Sequence, residues 1–311
     1  MSYEDKLKGS IASVPEMPPL PGGSVDAQPP EDNFLWKHYK DNIHPPVAEL
    51  PAPQNEVVSA ENPLNVDVYY SMRSPYSYLV LSRLLYLHSN YNVDVTIRVI
   101  LPIAVRSPGA LFTPQEPGHV SGRWYKWADA VHDTFRVGQQ QGVPFRMAAP
   151  DPITQDTYPP GEATMVISPI EKQPFIIWLT RMGAAAEMEG KSNEYVAAVS
   201  PLIWGGEAPI GEWPKMVPEA FERGTGMKYD ATIKDIQKNP EKYDAVWLKH
   251  QDGQLATGHG GVPNMVFRGE PFFGQDRFDA LFWRLRENGL TARAEPRPII
   301  TAKPLRFPAA D

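Results

Sequence analysis

The 311-residue sequence contains no cysteine. The protein can therefore form no disulfide bond, present no thiolate nucleophile of its own and bind no metal through sulfur. Any thiol chemistry at a site in this protein has to use a thiol that another molecule brings.

Long apolar runs and an excess of positive charge are also missing. No apolar run approaches the roughly 20 residues that a membrane-spanning helix needs, and the first six residues, MSYEDK, lack the apolar start of a secretory signal. The chain has 30 basic and 37 acidic residues, a net charge of −7, which disfavours binding to a nucleic-acid backbone. We therefore expect a cytoplasmic protein that acts on a small molecule, with neither nucleic acid nor membrane as its partner.

Both ends of the chain are rich in proline, which interrupts helices and central strands. Residues 1–63 have little hydrophobic periodicity, and we predict an N-terminal arm that extends over the surface or over a partner subunit. Plain disorder is the alternative for this arm. Residues 291–311 carry four prolines and are predicted to form a C-terminal tail.

Regular structure is predicted from residue 64 onwards. Apolar residues alternate with polar ones from Asn65 to Tyr70, which indicates a strand. Ser74 is a good N-cap and Pro75 suits the first position of a helix, so a helix is predicted to follow. A second alternating strand covers Val93–Val99, and a crossover helix between two strands is typical of parallel pairing.

The rest of the chain divides into a helical block and a short second half of a sheet. Helical spacing of apolar residues predicts helices around 124–138, 174–190, 194–204, 231–237 and 241–255. Two short strands, 264–268 and 271–273, flank a tight turn at Gly269-Glu270, and a final helix is predicted over Asp276–Asn288. The order β-α-β, helical block, β-β-α predicts an α/β, thioredoxin-like fold. Its core comprises 64–112 and 258–290, and residues 113–257 form a large helical insertion.

Three motifs lie in this order along the chain. They are YSMRSPYSYL at 70–79, GVPNMVF at 261–267 and FFGQDR at 272–277. They resemble three parts of the 2-hydroxychromene-2-carboxylate isomerases and kappa-class glutathione transferases, a family of the DsbA-like thioredoxin type. Those parts are the first strand–helix junction, the strand after a cis-proline, and the start of the last helix. The resemblance covers about residues 65–290.

The first motif suggests how a cysteine-free chain could use a thiol. Thioredoxin-like proteins carry Cys-x-x-Cys at this helix start, whereas residues 74–77 here are SPYS, so disulfide exchange is excluded. A helix N-terminus stabilises a thiolate through free backbone N–H groups and positive partial charge. Ser74 could donate its hydroxyl hydrogen to the sulfur of bound glutathione and lower the pKa of that thiol. The alternative is that Ser74 only caps the helix.

The resemblance implies further glutathione contacts. Val262, before a cis Pro263, would pair with the cysteinyl part of glutathione as an added strand does, and a simple tight turn is the alternative. Gln275 and Asp276 match the positions that hold the γ-glutamyl group, and an ordinary aspartate N-cap is the alternative. Ser77 completes the cofactor-binding candidates, with a local backbone hydrogen bond as its alternative.

Five residues are candidates for contact with the substrate. Arg73 and Arg106 could orient a substrate carboxylate, although Arg73 stands where the family usually has an apolar residue, and a surface acid is its alternative partner. Tyr76, Trp124 and Trp127 could wall an aromatic pocket. The two tryptophans also have helical spacing, which is more often a sign of core packing.

The resemblance implies a glutathione-dependent isomerase of an aromatic or unsaturated oxo-acid, as in the catabolism of aromatic compounds. Its mechanism would be thiolate addition, bond rotation and elimination. A kappa-like glutathione transferase that consumes glutathione in the same site is the first alternative. A non-catalytic thioredoxin-like binding module is the second, because the 102–112 loop lacks the asparagine with which the family contacts glutathione. A homodimer is expected, and the histidines show no spacing that predicts a metal site.

Overall fold

The computed structural model describes residues 13–17, 51–54, 57–106, 120–156, 166–298 and 306–308, and within these ranges the side chains of 120–129, 155–156 and 166 lie outside the description. The strands are β1 (Leu64–Tyr70), β2 (Val93–Val99), β3 (Gln155–Asp156), β4 (Val166–Ile167), β5 (Asn264–Phe267) and β6 (Glu270–Phe273). The helices are α1 (Pro75–Asn90), α2 (Ile103–Arg106), α3 (Val120–Gln141), α4 (Pro174–Met188), α5 (Ser192–Trp204), α6 (Trp213–Thr225), α7 (Tyr229–Lys238), α8 (Pro240–Ala256) and α9 (Phe278–Glu287). Short 3-10 turns cover Ile170–Lys172 and Gln275–Arg277.

The main sheet has four strands in the order β2-β1-β5-β6. β1 runs parallel to β2, with Leu64 opposite Val93, and antiparallel to β5, with Val68 opposite Met265. β6 runs antiparallel to β5, so β5 alone among these four strands is reversed. This order and direction, with α1 as the crossover between β1 and β2, is a thioredoxin-like sheet. The predicted fold class is confirmed, and helices α3 to α8 stand between its two halves.

The hairpin between β5 and β6 turns one residue earlier than the sequence predicted. Phe267 pairs with Glu270, so Arg268 and Gly269 are the two turn residues and Glu270 belongs to β6. Both turn residues have positive φ, 52° and 81°, as a type I′ turn requires. The prediction of a Gly269-Glu270 turn was therefore wrong by one position, because Gly269 fits either site of such a turn.

Helix α4 approaches the sheet closely because Gly183 lies against β2. A Cβ at Gly183 would lie 2.7 Å from the Cβ of Val99, closer than any real contact. The helix is apolar on nearly every side, with Phe175, Trp178 and Met182 all buried. The insertion is therefore packed onto the sheet and shares one hydrophobic core with it.

Helix α6 was missed from the sequence because prolines interrupt its pattern. Pro214 lies in the first turn, where a backbone N–H has no helical partner to lose. Pro218 removes only the hydrogen bond to the Pro214 carbonyl, four residues earlier. Burial of Trp213 and Phe221 then stabilises the helix.

The described parts of the arm and the tail contact the folded body. Gln237 donates to the carbonyl of Glu16 at 2.9 Å. On the tail, the backbone N–H of Asn92 donates to the carbonyl of Thr291 at 2.9 Å. Phe307 packs edge-on against Tyr86, with ring centres 4.6 Å apart.

His88, near the end of α1, is buried as a neutral ring. Its side chain is 9% exposed, its Nδ1 accepts from the backbone N–H of Val95 at 3.1 Å, and the Arg297 guanidinium lies 3.1 Å from Nε2. Burial, helped by the Arg297 charge, lowers the pKa of His88 to about 4. The folded state therefore resists protonation that the unfolded chain accepts below about pH 6.5.

This burial predicts a loss of stability in acid. The contribution of His88 is complete above pH 6.5 and is lost as the pH falls towards 4, by roughly 3 kcal/mol in the free energy of unfolding. Urea unfolding of the protein and of His88→Gln at pH 7 and pH 4.5 measures this effect. The difference between the two proteins should shrink in acid, whereas the exposed His132→Gln control should follow the unmodified protein. An equal response of all three proteins would contradict the prediction.

Candidate functional site

Ser74 caps α1 and also faces the segment before β5. Its Oγ accepts from the backbone N–H of Ser77 at 3.2 Å, and its hydroxyl lies 3.4 Å from the carbonyl oxygen of Val262. The capping alternative is therefore realised, and the same hydroxyl reaches the segment that the second motif marks. The Oγ of Ser77 is fully buried and makes no hydrogen bond within the described part of the chain.

The peptide bond between Val262 and Pro263 is cis, as the resemblance implied. The loop before it is fixed by His259, whose Nδ1 accepts from the backbone N–H of Gly261 at 2.9 Å. The His259 ring also stacks on Phe273, with ring centres 3.8 Å apart, and burial lowers its pKa. A Cβ at Gly261 would lie 2.3 Å from the Phe273 ring, so only glycine fits between these elements.

A cavity of about 420 Å³ opens beside Val262, within the range of small-molecule sites. It is lined by Tyr76, Asp133, Val137, Val262, Phe273, Gly274, Gln275 and Asp276. Ser74 does not line it but contacts Val262, which does. The cavity thus brings together Tyr76 from the first motif, Val262 from the second, and Gln275 and Asp276 from the third.

Two cavity residues from α3 were not singled out from the sequence. The carboxylate of Asp133 accepts from the hydroxyl of Tyr76 at 2.9 Å, and Val137 adds an apolar wall. A single acid on an amphipathic helix has the same pattern as a solvent-facing acid, so no sequence signal separated Asp133 from its neighbours. Trp124 and Trp127 belong to the same helix, but their side chains lie outside the described part of the structure.

The third motif forms the far wall of the cavity. Gly274 has a φ of 100°, and a Cβ there would lie 2.5 Å from Oδ1 of Asp276. The side chain of Asp276 is 62% exposed, and its Oδ2 lies 3.9 Å from Nε of the exposed Arg277. Gln275, in contrast, is only 8% exposed, and its backbone carbonyl and side-chain oxygen each accept from Arg83 at 2.7 Å.

The two predicted substrate arginines contact protein groups and do not line the cavity. Arg73 forms an ion pair with Asp151, with Nη2 and Oδ2 3.2 Å apart. Arg106 is 3% exposed and donates to Gln254 and to the carbonyl of Gly260. Burial lowers the pKa of Arg106 to about 10. Arg106 thus supports the loop that leads to Val262, and the loop residues 107–112 lie outside the described structure.

Two general properties bear on the kind of site. Among the described residues, no group of three or more histidine or acidic side chains is placed to hold a metal ion. In the same part of the chain, no helix has both the length and the apolar character that crossing a membrane requires.

No family model and no curated protein matches this sequence. Several solved structures are similar to this chain at low sequence identity. They include a 2-hydroxychromene-2-carboxylate isomerase, with 19% identity and a TM-score of 0.49 over 72% of this chain and 95% of that one. A probable DsbA oxidoreductase from Streptomyces coelicolor has 14% identity and a TM-score of 0.48, covering 72% and 91%.

A third match is the cytosolic disulfide reductase DsbM from Pseudomonas aeruginosa, solved with GSH, with 16% identity and a TM-score of 0.43, covering 72% and 100%. One of these matches, the 2-hydroxychromene-2-carboxylate isomerase, belongs to the family that the sequence motifs resemble.

Proposed function

We propose that the protein is a glutathione-dependent isomerase of an aromatic or unsaturated oxo-acid, similar in reaction to 2-hydroxychromene-2-carboxylate isomerase. One observation carries the proposal. The Ser74 hydroxyl stands at the N-terminus of α1, 3.4 Å from the carbonyl of Val262, in a chain without cysteine. Because the helix start is arranged like a thiol site and the chain has no cysteine, the thiol would come from a bound molecule.

The residues present fit glutathione. The Ser77 hydroxyl is a buried polar group without a partner in the described structure, at the helix start where a thiolate would be stabilised, and it lies behind the residues that line the cavity. The cavity continues from Val262 to the exposed carboxylate of Asp276, which can pair with an ammonium group. Glutathione carries a thiol at its centre and an α-ammonium at its γ-glutamyl end, which matches this arrangement.

Bound glutathione would supply a thiolate that adds to an electron-poor conjugated carbon, permits bond rotation and leaves unchanged by elimination. The chain's own residues would hold and activate it. An N–H group of the ligand that donates a hydrogen bond to the Val262 carbonyl oxygen would compete with the Ser74 hydroxyl for that oxygen. The hydroxyl can then donate to the sulfur, a charge-assisted hydrogen bond that favours the ionised thiol.

The walls of the cavity support an aromatic or unsaturated substrate. Phe273, Val137 and Val262 give it apolar surface, and the half-exposed ring of Phe273 offers a face for stacking. Tyr76 adds a hydroxyl held by Asp133. Disulfide reduction by thiols of the chain itself is excluded, because the chain contains no cysteine.

Calorimetric titration with glutathione, followed by an isomerisation assay, tests the proposal. We expect glutathione to bind saturably and to release a proton on binding. S-methylglutathione has no ionisable thiol, so its binding should release no proton. With 2-hydroxychromene-2-carboxylate as the probe substrate, product should form while the free thiol concentration stays constant. A falling thiol concentration with conjugate formation would instead identify a transferase. Absence of binding at millimolar glutathione would overturn the proposal and favour a binding module.

A further inference from the structure

Arg83, on α1, is a buried cation whose closest partner is a neutral glutamine. The residue is 2% exposed, and one of its nitrogens, Nη2, donates to both the backbone carbonyl and the side-chain Oε1 of Gln275, each at 2.7 Å. The nearest carboxylate, on Asp279, is 3.9 Å from Nη1 and belongs to a half-exposed side chain. A second donor, Nε2 of Gln141, also reaches Oε1 of Gln275, at 2.9 Å.

These contacts determine which way the Gln275 amide faces. A guanidinium group only donates hydrogen bonds, so the atom of Gln275 that meets Arg83 has to be its oxygen. With the oxygen held by two donors, the side-chain group that Gln275 has left to offer to the cavity it lines is its NH2. An NH2 group donates and cannot accept, so this wall selects an acceptor such as a carboxylate oxygen.

Burial of the Arg83 charge beside a neutral glutamine would lower the stability of the fold if the residue served packing alone. Burial lowers the pKa of Arg83 to about 10, and its Nε makes no hydrogen bond within the described structure. The Phe278 ring, 4.9 Å from Cζ, offsets part of this cost by a cation–π contact but supplies no full negative charge. A buried cation is normally compensated by a carboxylate in close contact. Arg284 on α9 shows this ordinary solution, since it is 4% exposed and bonds Glu270 at 2.7 Å.

We propose that Arg83 is a positioning residue that orients the side-chain amide of Gln275 so that its NH2 group binds a ligand carboxylate in the cavity. The ligand class is a γ-glutamyl compound, whose α-carboxylate would take this NH2 while Asp276 faces its ammonium. The inference rests on the proposed function for the identity of that ligand. The thiol chemistry at Ser74 is not needed for it.

Gln275→Glu separates positioning from packing. A glutamate keeps an oxygen for Arg83 and Gln141 and adds an ion pair, so the melting temperature should stay equal or rise. Its second oxygen would face the cavity in place of the NH2 and repel a carboxylate. We expect the affinity for γ-glutamylglycine, a probe without a thiol, to fall at least tenfold, which a merely structural role would not cause.

Arg83→Lys and Arg83→Met complete the test, with Arg284→Lys as the matched buried-arginine control. Arg83→Met should lose most of the affinity and Arg83→Lys, which keeps a donor, should retain part of it. Arg284→Lys should lower the melting temperature without changing the affinity. Unchanged probe binding in Gln275→Glu, or no probe binding by the unmodified protein, would overturn the inference. If γ-glutamylglycine binds but the binding of glutathione releases no proton, the inference stands and the proposed function is overturned.

Discussion

Replacing Ser74 by alanine should raise the pKa of bound glutathione by one to two units and slow turnover by about 10- to 100-fold. The hydroxyl is the side-chain donor that the fold places beside Val262 at the start of α1. A hydrogen bond to a charged group contributes roughly 1.5–3 kcal/mol, which corresponds to these changes. Ultraviolet absorbance of the thiolate during a pH titration of the complex measures the pKa directly.

Two further variants at Ser74 separate its two roles. Ser74→Ala also removes the cap on the Ser77 N–H and should lower the free energy of unfolding by about 1 kcal/mol. Ser74→Asp retains a cap but has no hydroxyl to donate at neutral pH, so it should be stable and inactive. Ser74→Thr keeps both functions and should restore most of the activity. If the alanine and aspartate variants keep the thiol pKa of the unmodified protein, Ser74 is only a cap.

Loss of the Asp244 carboxylate should destabilise the protein more than any surface change. Arg181 is 0% exposed and Asp244 1%, and the two form paired hydrogen bonds of 2.8 and 2.7 Å between α4 and α8. The indole N–H of Trp247 donates to the same carboxylate at 2.8 Å. Asp244→Ala leaves a buried guanidinium uncompensated and should lower the free energy of unfolding by roughly 3–5 kcal/mol.

Urea unfolding of three variants checks this expectation. The double variant Arg181→Met with Asp244→Leu should regain most of the loss, because no buried charge then remains unpaired. Glu212→Ala, which breaks a half-exposed pair with Lys215, should change stability by less than about 1 kcal/mol. A similarly small effect of Asp244→Ala would show that the buried pair is not a major source of stability.

Much of the fold could be predicted because its signals are local. Alternation over Asn65–Tyr70 and over Val93–Val99 predicted β1 and β2 within one residue, and the capping pair Ser74-Pro75 predicted the start of α1. The order of elements was enough for the thioredoxin-like class, since sheet topology follows from few alternatives. Errors arose where the local signal was ambiguous, as at Gly269 in the hairpin turn or at Pro214 and Pro218 in α6.

Some features of the candidate site could likewise be predicted from a local sequence pattern, whereas others depend on contacts between distant residues. Capping chemistry identified Ser74 within its own segment, and the absence of cysteine determined that any thiol has to be borrowed. Other properties depended on contacts that no local pattern encodes. Ser74 reaches Val262 across 188 positions, and Arg83 reaches Gln275 across 192. The predicted substrate arginine at 73 pairs with Asp151 because folding places that acid beside it.

By itself, the sequence determined the four strands of the main sheet, most of the longer helices, their order and the capped helix start at Ser74. Only the tertiary structure decided that Asp133 lines the cavity, that Arg106 donates to the loop before Val262 and that Arg83 donates to Gln275. The physical reason is the separation along the chain over which each effect acts. Periodicity and capping act over a few residues, whereas the contacts of a buried polar group depend on whichever distant segments the sheet and the helical insertion bring together.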